Sequence, residues 1–244
     1  MSSKPFAIIA GVGAGTGAAV AKKFAKEYPV ALLARSEQFA DSLAAEINAE
    51  GGSAVSYKAD VSDETSIEAA MNQIRIAFGT KCAAAVFNAS SRPFPKPFSW
   101  QSPYDLRHGL DISLIGAFLF AKATLPLLLN MADDDEIVPT LIFTGATASV
   151  KANAWLQPFN IPKHALRGLA QTLYDEFKPK GVHVAHVIID GVIRMPLTWW
   201  LKPFSSWHAK LDPNAIAQSY WLLHKQHIPH LSQEICIRPF SEKW

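Results

Sequence analysis

Seven short apolar runs, separated by stretches of helical spacing, restrict what this chain can fold into more than any other feature. Phe6–Ala10, Val30–Ala34, Ala54–Lys58, Ala83–Phe87, Thr140–Thr144, His183–Ile189 and Glu234–Ile237 have the length and apolar density of buried strands. Between them, Ala18–Glu27, Gln38–Ala49, Glu64–Phe78, Asp105–Leu129 and Pro162–Phe177 carry helical periodicity and are long enough to be crossover connections. Crossovers between parallel strands are right-handed, so this alternation predicts an α/β chain with a seven-stranded, doubly wound parallel sheet covered by helices on both faces. With 244 residues, 49% of them hydrophobic, there is apolar material for one sizeable core, and residues 1–244 read as a single domain. The acidic run Asp133–Glu136 reads as a solvated loop.

Twenty-three Lys plus Arg against 21 Asp plus Glu leave a net charge of +2 with no basic cluster. That argues against a nucleic-acid footprint and for a small-molecule partner. Cys82 and Cys236 sit in apolar runs without CxxC spacing and are expected to be buried thiols in a reducing compartment, not a disulfide or a metal site. The first apolar run ends at a glycine after about five residues, short of a signal peptide's apolar segment. The longest apolar stretch, Leu110–Leu129, is interrupted by Asp111, Lys122 and Pro126, so no membrane span and a cytoplasmic location are expected.

Directly after the first strand comes Gly11-Val12-Gly13-Ala14-Gly15-Thr16-Gly17, opening into a helix. Glycines in that position allow a tight turn and let backbone N–H groups at the positive end of a helix dipole approach a pyrophosphate. Here the chain resembles the short-chain dehydrogenase/reductase family over essentially its whole length. Gly11, Gly15 and Gly17 match that family's Gly-x-x-x-Gly-x-Gly, Asp60-Val61 its adenine-contacting pair, and Asn88-Ala89 its Asn-Asn-Ala-Gly. The resemblance implies a three-layer Rossmann fold, a nicotinamide dinucleotide, and assembly as a homodimer or homotetramer through the two long helices. Arg35 ends the second strand where an NAD enzyme usually presents a carboxylate to the ribose 2′-hydroxyl. A guanidinium there can grip a 2′-phosphate bidentately, so NADP(H) is the expected cofactor.

The family's catalytic pattern is only partly present. Aligning the helix after the fifth strand puts Phe159-Asn160-Ile161-Pro162-Lys163 on Tyr-x-x-x-Lys, so the lysine is kept and the phenol is replaced. Ala146 falls on the family's serine and Ser113 on its asparagine. Tyr174 to Lys178 repeats the Tyr-x-x-x-Lys spacing, but several turns further along the helix, and reads as structural. Lys163 keeps the family's contact to the nicotinamide ribose; Lys163, Ser113 and Thr147 are the candidate catalytic residues. Gly191 and Ile193 occupy the segment that binds the carboxamide, Ile193 through its backbone. Asp190 replaces the family's proline there and is either a carboxylate facing substrate or a cap for the segment starting at Met195.

General acid catalysis is worth about 10² to 10⁴ in rate, or roughly 3 to 5 kcal/mol of barrier. Hydride addition to a neutral ketone makes an alkoxide and needs that help, whereas an iminium is merely neutralised. The expected reaction is therefore reduction of an activated C=N or conjugated acceptor. Met195–Leu211 corresponds to the family's variable lid, where Trp199, Trp200, Phe204 and Trp207, with Trp155 and Phe159, are expected to form an aromatic wall around a bulky apolar substrate. Two other readings stay open: a non-catalytic dinucleotide-binding protein, and a non-redox cyclase of a natural-product pathway.

Overall fold

The computed structural model describes residues 4–134, 136–195 and 209–240. Seven strands, β1 (Phe6–Ala10), β2 (Val30–Ala34), β3 (Ala54–Lys58), β4 (Cys82–Phe87), β5 (Thr140–Thr144), β6 (His183–Ile189) and β7 (Glu234–Ile237), form one sheet in the order β3-β2-β1-β4-β5-β6-β7. Every pairing is parallel. β1, β2, β4, β5 and β6 are buried at every residue, the pattern of strands covered on both faces, and this is why they read as unbroken apolar runs.

Strand alternation divides the core in two. Ile9, Leu32, Val86, Ile142 and Val187 face helices α1 (Thr16–Phe24), α2 (Glu37–Ala49) and α7 (Pro213–His224). Ile8, Leu33, Phe87, Phe143 and Val184 face α3 (Glu64–Phe78), α5 (Gly116–Leu129) and α6 (Gln157–Phe177). The sheet order reverses between β1 and β4, which places the Gly11–Gly17 turn and Asn88 together at the strands' carboxyl ends, where open α/β sheets bind ligands.

Several boundaries differ from the sequence expectation. The segment expected as one helix from Asp105 begins as α4 (Pro103–Leu110), capped by the reciprocal Ser102–Asp105 pair, and reaches α5 through a π-helical turn at Asp111–Ile115. α6 starts at Gln157, five residues before the expected Pro162, because the proline is tolerated inside it. Pro162 has no N–H for the Pro158 carbonyl. That carbonyl lies instead against Gly109 of α4, where an added Cβ would stand only 2.0 Å from the oxygen. α7, which has no counterpart among the expected helices, fills the crossover to β7 and buries Tyr220 completely.

Two further expectations are corrected. Cys82 is buried, but Cys236 is exposed, because β7 is the edge strand and its outer residues are uncovered. Pro103–Leu129 contains an 18-residue window of mean hydropathy 2.0 and is, by length and composition only, long and apolar enough to cross a membrane, where the sequence reading expected Asp111, Lys122 and Pro126 to break the apolar stretch. In this fold 56% of that apolar window is buried inside the protein, where Phe120, Leu125 and Leu128 pack under the sheet.

Candidate active site

A cavity of about 1190 Å³ opens at the carboxyl ends of the central strands, lined by the β1–α1 turn, Asn88, the loop after β5, the first turns of α6, and the segment after β6. The turn is shaped by close approach. Gly11 has φ +85° and a Cβ there would lie 2.3 Å from the Ala89 nitrogen, while one on Gly17 would lie 2.5 Å from the Gly11 carbonyl. Asn88 Nδ2 donates to that same Gly11 carbonyl at 2.9 Å, stapling the turn to the end of β4. Gly15 faces Met195, whose Sδ would stand 2.8 Å from an added Cβ.

The turn fits a dinucleotide's phosphates on an observation of its own. Thr16 at the start of α1 is 5% exposed and lines the cavity, yet its Oγ1 has no hydrogen-bond partner, a vacancy that a phosphate oxygen would satisfy. Arg35, Asp60 and Val61 lie outside the cavity lining, at and beyond the ends of β2 and β3. Arg35 is exposed and close enough to Asp60 to help lower its carboxyl pKa. The main cause of that lowering is the hydrogen bond from the Ser62 hydroxyl, at 2.6 Å. Val61 is a packing residue, set against Gly116 at the start of α5.

On the other side, Lys163 is fully enclosed. Its Nζ donates to the Thr144 carbonyl at 2.7 Å, and burial lowers its pKa to about 8. Phe159 lies one turn earlier on α6 and lines the cavity with Leu156 and Asn160. Among the described lining residues there is no tyrosine. One phenol is linked to this wall, that of Tyr220, whose OH donates to Thr144 Oγ1 at 2.8 Å from the α7 side of the sheet; the ring has no exposure and burial drives its pKa far up. It supports β5 and does not reach the cavity. Tyr174 is half-buried on α6 with Lys178 over its ring at 5.1 Å, away from the site.

The loop after β5 rests on a buried network. Ala146 N donates to Ser149 Oγ, which lies 3.3 Å from His186 Nε2; His186 Nδ1 is 2.9 Å from Glu234 Oε2, and Arg167 grips Glu234 with two bonds. Gly145 packs so closely on the His186 ring that a Cβ would lie 2.3 Å from Nε2. Thr147 is held on this loop facing β6, and its Oγ1 donates to Asp190 Oδ1 at 2.6 Å. Asp190 Oδ2 is 3.4 Å from Arg238 Nη2, and the segment from Met195 that it was alternatively expected to cap continues outside the described residues. Ile193 lines the cavity and is fixed by a parallel bridge to Leu211.

Besides Arg35, Asp60 and Val61, two further candidates are not brought to the cavity lining. Ser113 is buried in the π-helical turn, where its Oγ accepts from Ser91 N at 3.1 Å, so it holds the β4–α4 loop instead of facing the cavity. Trp155 does not line the cavity; it is 59% exposed at φ +70°, and its carbonyl accepts from Lys96 N. Trp199, Trp200, Phe204 and Trp207 lie outside the described residues. Sequence reasoning missed Arg92, Lys151, Asn153 and Asn160, all on the wall. Only their nearness to Gly11 and Lys163 in space marks them, and no local pattern carries that.

Residues 5–201 match the family described as short chain dehydrogenase. The chain is 30% identical over 199 residues to 2,5-dichloro-2,5-cyclohexadiene-1,4-diol dehydrogenase LinX of Sphingobium indicum, covering 81% of this chain and 76% of that one. Its fold is similar to that of a short-chain dehydrogenase from Rhodopseudomonas palustris, with TM-score 0.80, 28% identity and coverage of 97% and 98% of the two chains. A metagenomic short-chain oxidoreductase solved in complex with NADP matches with TM-score 0.82, 25% identity and the same coverage. With its glycine-rich turn at the sheet's switch point and a family match spanning most of its length, this chain belongs to the short-chain dehydrogenase family and is an oxidoreductase of that family.

Proposed function

We propose that the protein is an NADP(H)-dependent oxidoreductase that transfers hydride to an activated C=N or conjugated acceptor of bulky, apolar build, without a side-chain acid. The observation that carries this reading is Phe159, a benzyl group on the cavity wall one turn before Lys163, where the family resemblance leads one to expect a phenol. Gly11, Gly15 and Gly17, with the amides opening α1 and Thr16 Oγ1, would hold the pyrophosphate. Arg35 would take the 2′-phosphate, Asp60 and Val61 the adenine side, and Asn88 keeps the turn in shape. Lys163 would donate its remaining N–H bonds to ribose hydroxyls, and the Ile193 backbone would meet the carboxamide. The dinucleotide supplies or accepts the hydride.

The rest of the chemistry belongs to the protein's own wall. Phe159, Leu156, Val192, Ile193 and Met195 exclude water and offer an apolar surface. A cationic C=N becomes a neutral amine on gaining hydride, so no proton need be delivered at the moment of transfer, and the loss of roughly 3 to 5 kcal/mol of acid catalysis does not penalise it. Self-association is part of the same reading: Ile115, Phe118 and Ile161 leave apolar surface exposed on and beside the two long helices.

The test is a fluorescence titration with NADPH and NADH, followed by absorbance assays on cyclic imines, enones and ketones. Turnover of imines or enones but not ketones is expected, and Phe159→Tyr should add ketone reduction. Tight NADPH binding with no turnover of any acceptor would overturn the oxidoreductase reading.

A further inference from the structure

On the side of the loop after β5 and the end of β6, the cavity wall presents hydrogen-bond acceptors. Thr147 is a hydroxyl of this wall, and its single proton is already committed to Asp190 at 2.6 Å. What Thr147 can still offer is a lone pair, made a better acceptor by donation to a carboxylate. Asp190 itself is a carboxylate whose side chain is 9% exposed, on a residue that lines the cavity. Its only cation among the described residues, Arg238, makes one contact at 3.4 Å, longer than the roughly 2.7 to 2.9 Å of a charge-assisted bond. A nearly buried carboxylate with one hydroxyl and one stretched ion pair is under-neutralised. Asn160, on the same wall and 4% exposed, adds an amide oxygen with no donor. The wall's free cations, Arg92 and Lys151, are exposed residues, while Lys163 is buried and turned to the Thr144 carbonyl.

We propose that Asp190 and Thr147 form the recognition point for a cationic nitrogen, so that the acceptor is a protonated or alkylated C=N and the product an apolar secondary or tertiary amine. Asp190 supplies the counter-charge, and Thr147 Oγ1 accepts from the N–H where one is present. The inference rests on the proposed hydride transfer without a side-chain acid and names the substrate class for it. In the step itself the C=N carbon gains the hydride, the C=N π pair becomes the nitrogen lone pair, and the reduced dinucleotide is oxidised. A neutral ketone finds no donor at this point.

The experiment reads binding separately from turnover. Protein loaded with NADPH is titrated by calorimetry with 1,2,3,4-tetrahydroisoquinolinium, with its N,N-dimethyl quaternary analogue, and with isochroman, the neutral oxygen isostere. No reaction is possible in these dead-end complexes. Both cations should bind at least about tenfold tighter than isochroman, and Asp190→Asn should remove that preference, since truncating one partner of a buried charge pair costs well over a factor of ten. Thr147→Val, which keeps the carboxylate, should weaken the N–H cation selectively and leave the quaternary one unchanged. Circular dichroism checks that each variant is folded. Equal affinity for cations and isochroman in the parent protein overturns the inference, as does a cation preference that survives both substitutions. Asp190-dependent binding with no hydride transfer to 3,4-dihydroisoquinolinium would instead overturn the proposed reaction and leave the cation site standing.

Discussion

Raising the pH should stabilise this protein through Lys163. The side chain is 2% exposed, and burial lowers its pKa from 10.5 to about 8. Its one acceptor among the described residues is the Thr144 carbonyl, too little to replace the hydration of an ammonium with three N–H groups. Below about pH 8 both native and unfolded chains carry the proton, and the full cost of the buried charge is present. Between about 8 and 10.5 the unfolded chain holds a proton that the native chain has lost, so stability rises with pH; above that window both are neutral. At about 1.36 kcal/mol per pH unit, moving from about pH 7 to about pH 10 should contribute on the order of 2 to 3 kcal/mol. Lys163→Met keeps most of the volume and removes the titration. Urea unfolding of both ligand-free proteins across this range, at one protein concentration, gives the difference in stability with all other groups cancelled. That difference should shift in favour of the parent protein by the stated amount, most steeply between about pH 8 and 10. Saturating NADP⁺ should flatten the curve, because ribose hydroxyls accepting from Nζ favour its charged form and raise its pKa. A difference that stays level with pH in the ligand-free protein would refute the argument, since it would mean that the ammonium is hydrated in the native state.

Two other outcomes test the dinucleotide site. Gly17→Ala drives a Cβ to 2.5 Å from the Gly11 carbonyl, whereas Gly13 has nothing within 4 Å. Fluorescence titration should therefore show NADPH affinity reduced by about a hundredfold or more in the first variant and changed by less than about threefold in the second; equal behaviour would mean that the turn is not held as described. Arg35→Ala should weaken NADPH by roughly tenfold or more while leaving NADH nearly unchanged, the signature of a lost contact to a 2′-phosphate. An equal loss for both dinucleotides would remove Arg35 from that role.

The sheet was legible because parallel strands buried on both faces must be apolar throughout, and such runs stand out without knowledge of their neighbours. Six of the seven strands lie where their runs lie, and the remaining one, β4, begins one residue early, at Cys82. The glycine turn was legible for a similar reason: backbone approach to another chain segment or to a phosphate demands glycine locally, whatever the rest of the chain does. Helix starts were less so. Leu156 caps α6 without a side-chain bond, and Pro162 reads as a first-turn residue although it lies inside the helix. Its tolerance depends on Gly109, more than forty residues away, giving the Pro158 carbonyl room.

The candidate site divides along the same line. Lys163 and Phe159 follow from their spacing on one helix, and their order along α6 places both on the cavity wall. Ser113 has a hydroxyl at the expected place in the chain, yet the π-helical turn directs it to Ser91, and Trp155 faces outward on its loop. Nothing in the order of residues says that Thr147 donates to Asp190, 43 positions on, or that Arg238 approaches that carboxylate from beyond the last strand. Strand identity, the phosphate turn and the helix carrying Lys163 were settled by local rules of burial and backbone conformation. Which side chains meet in the cavity was settled by the register of β5 against β6 and β6 against β7, since polar partners distant in the chain are chosen only when packing sets the strands that carry them.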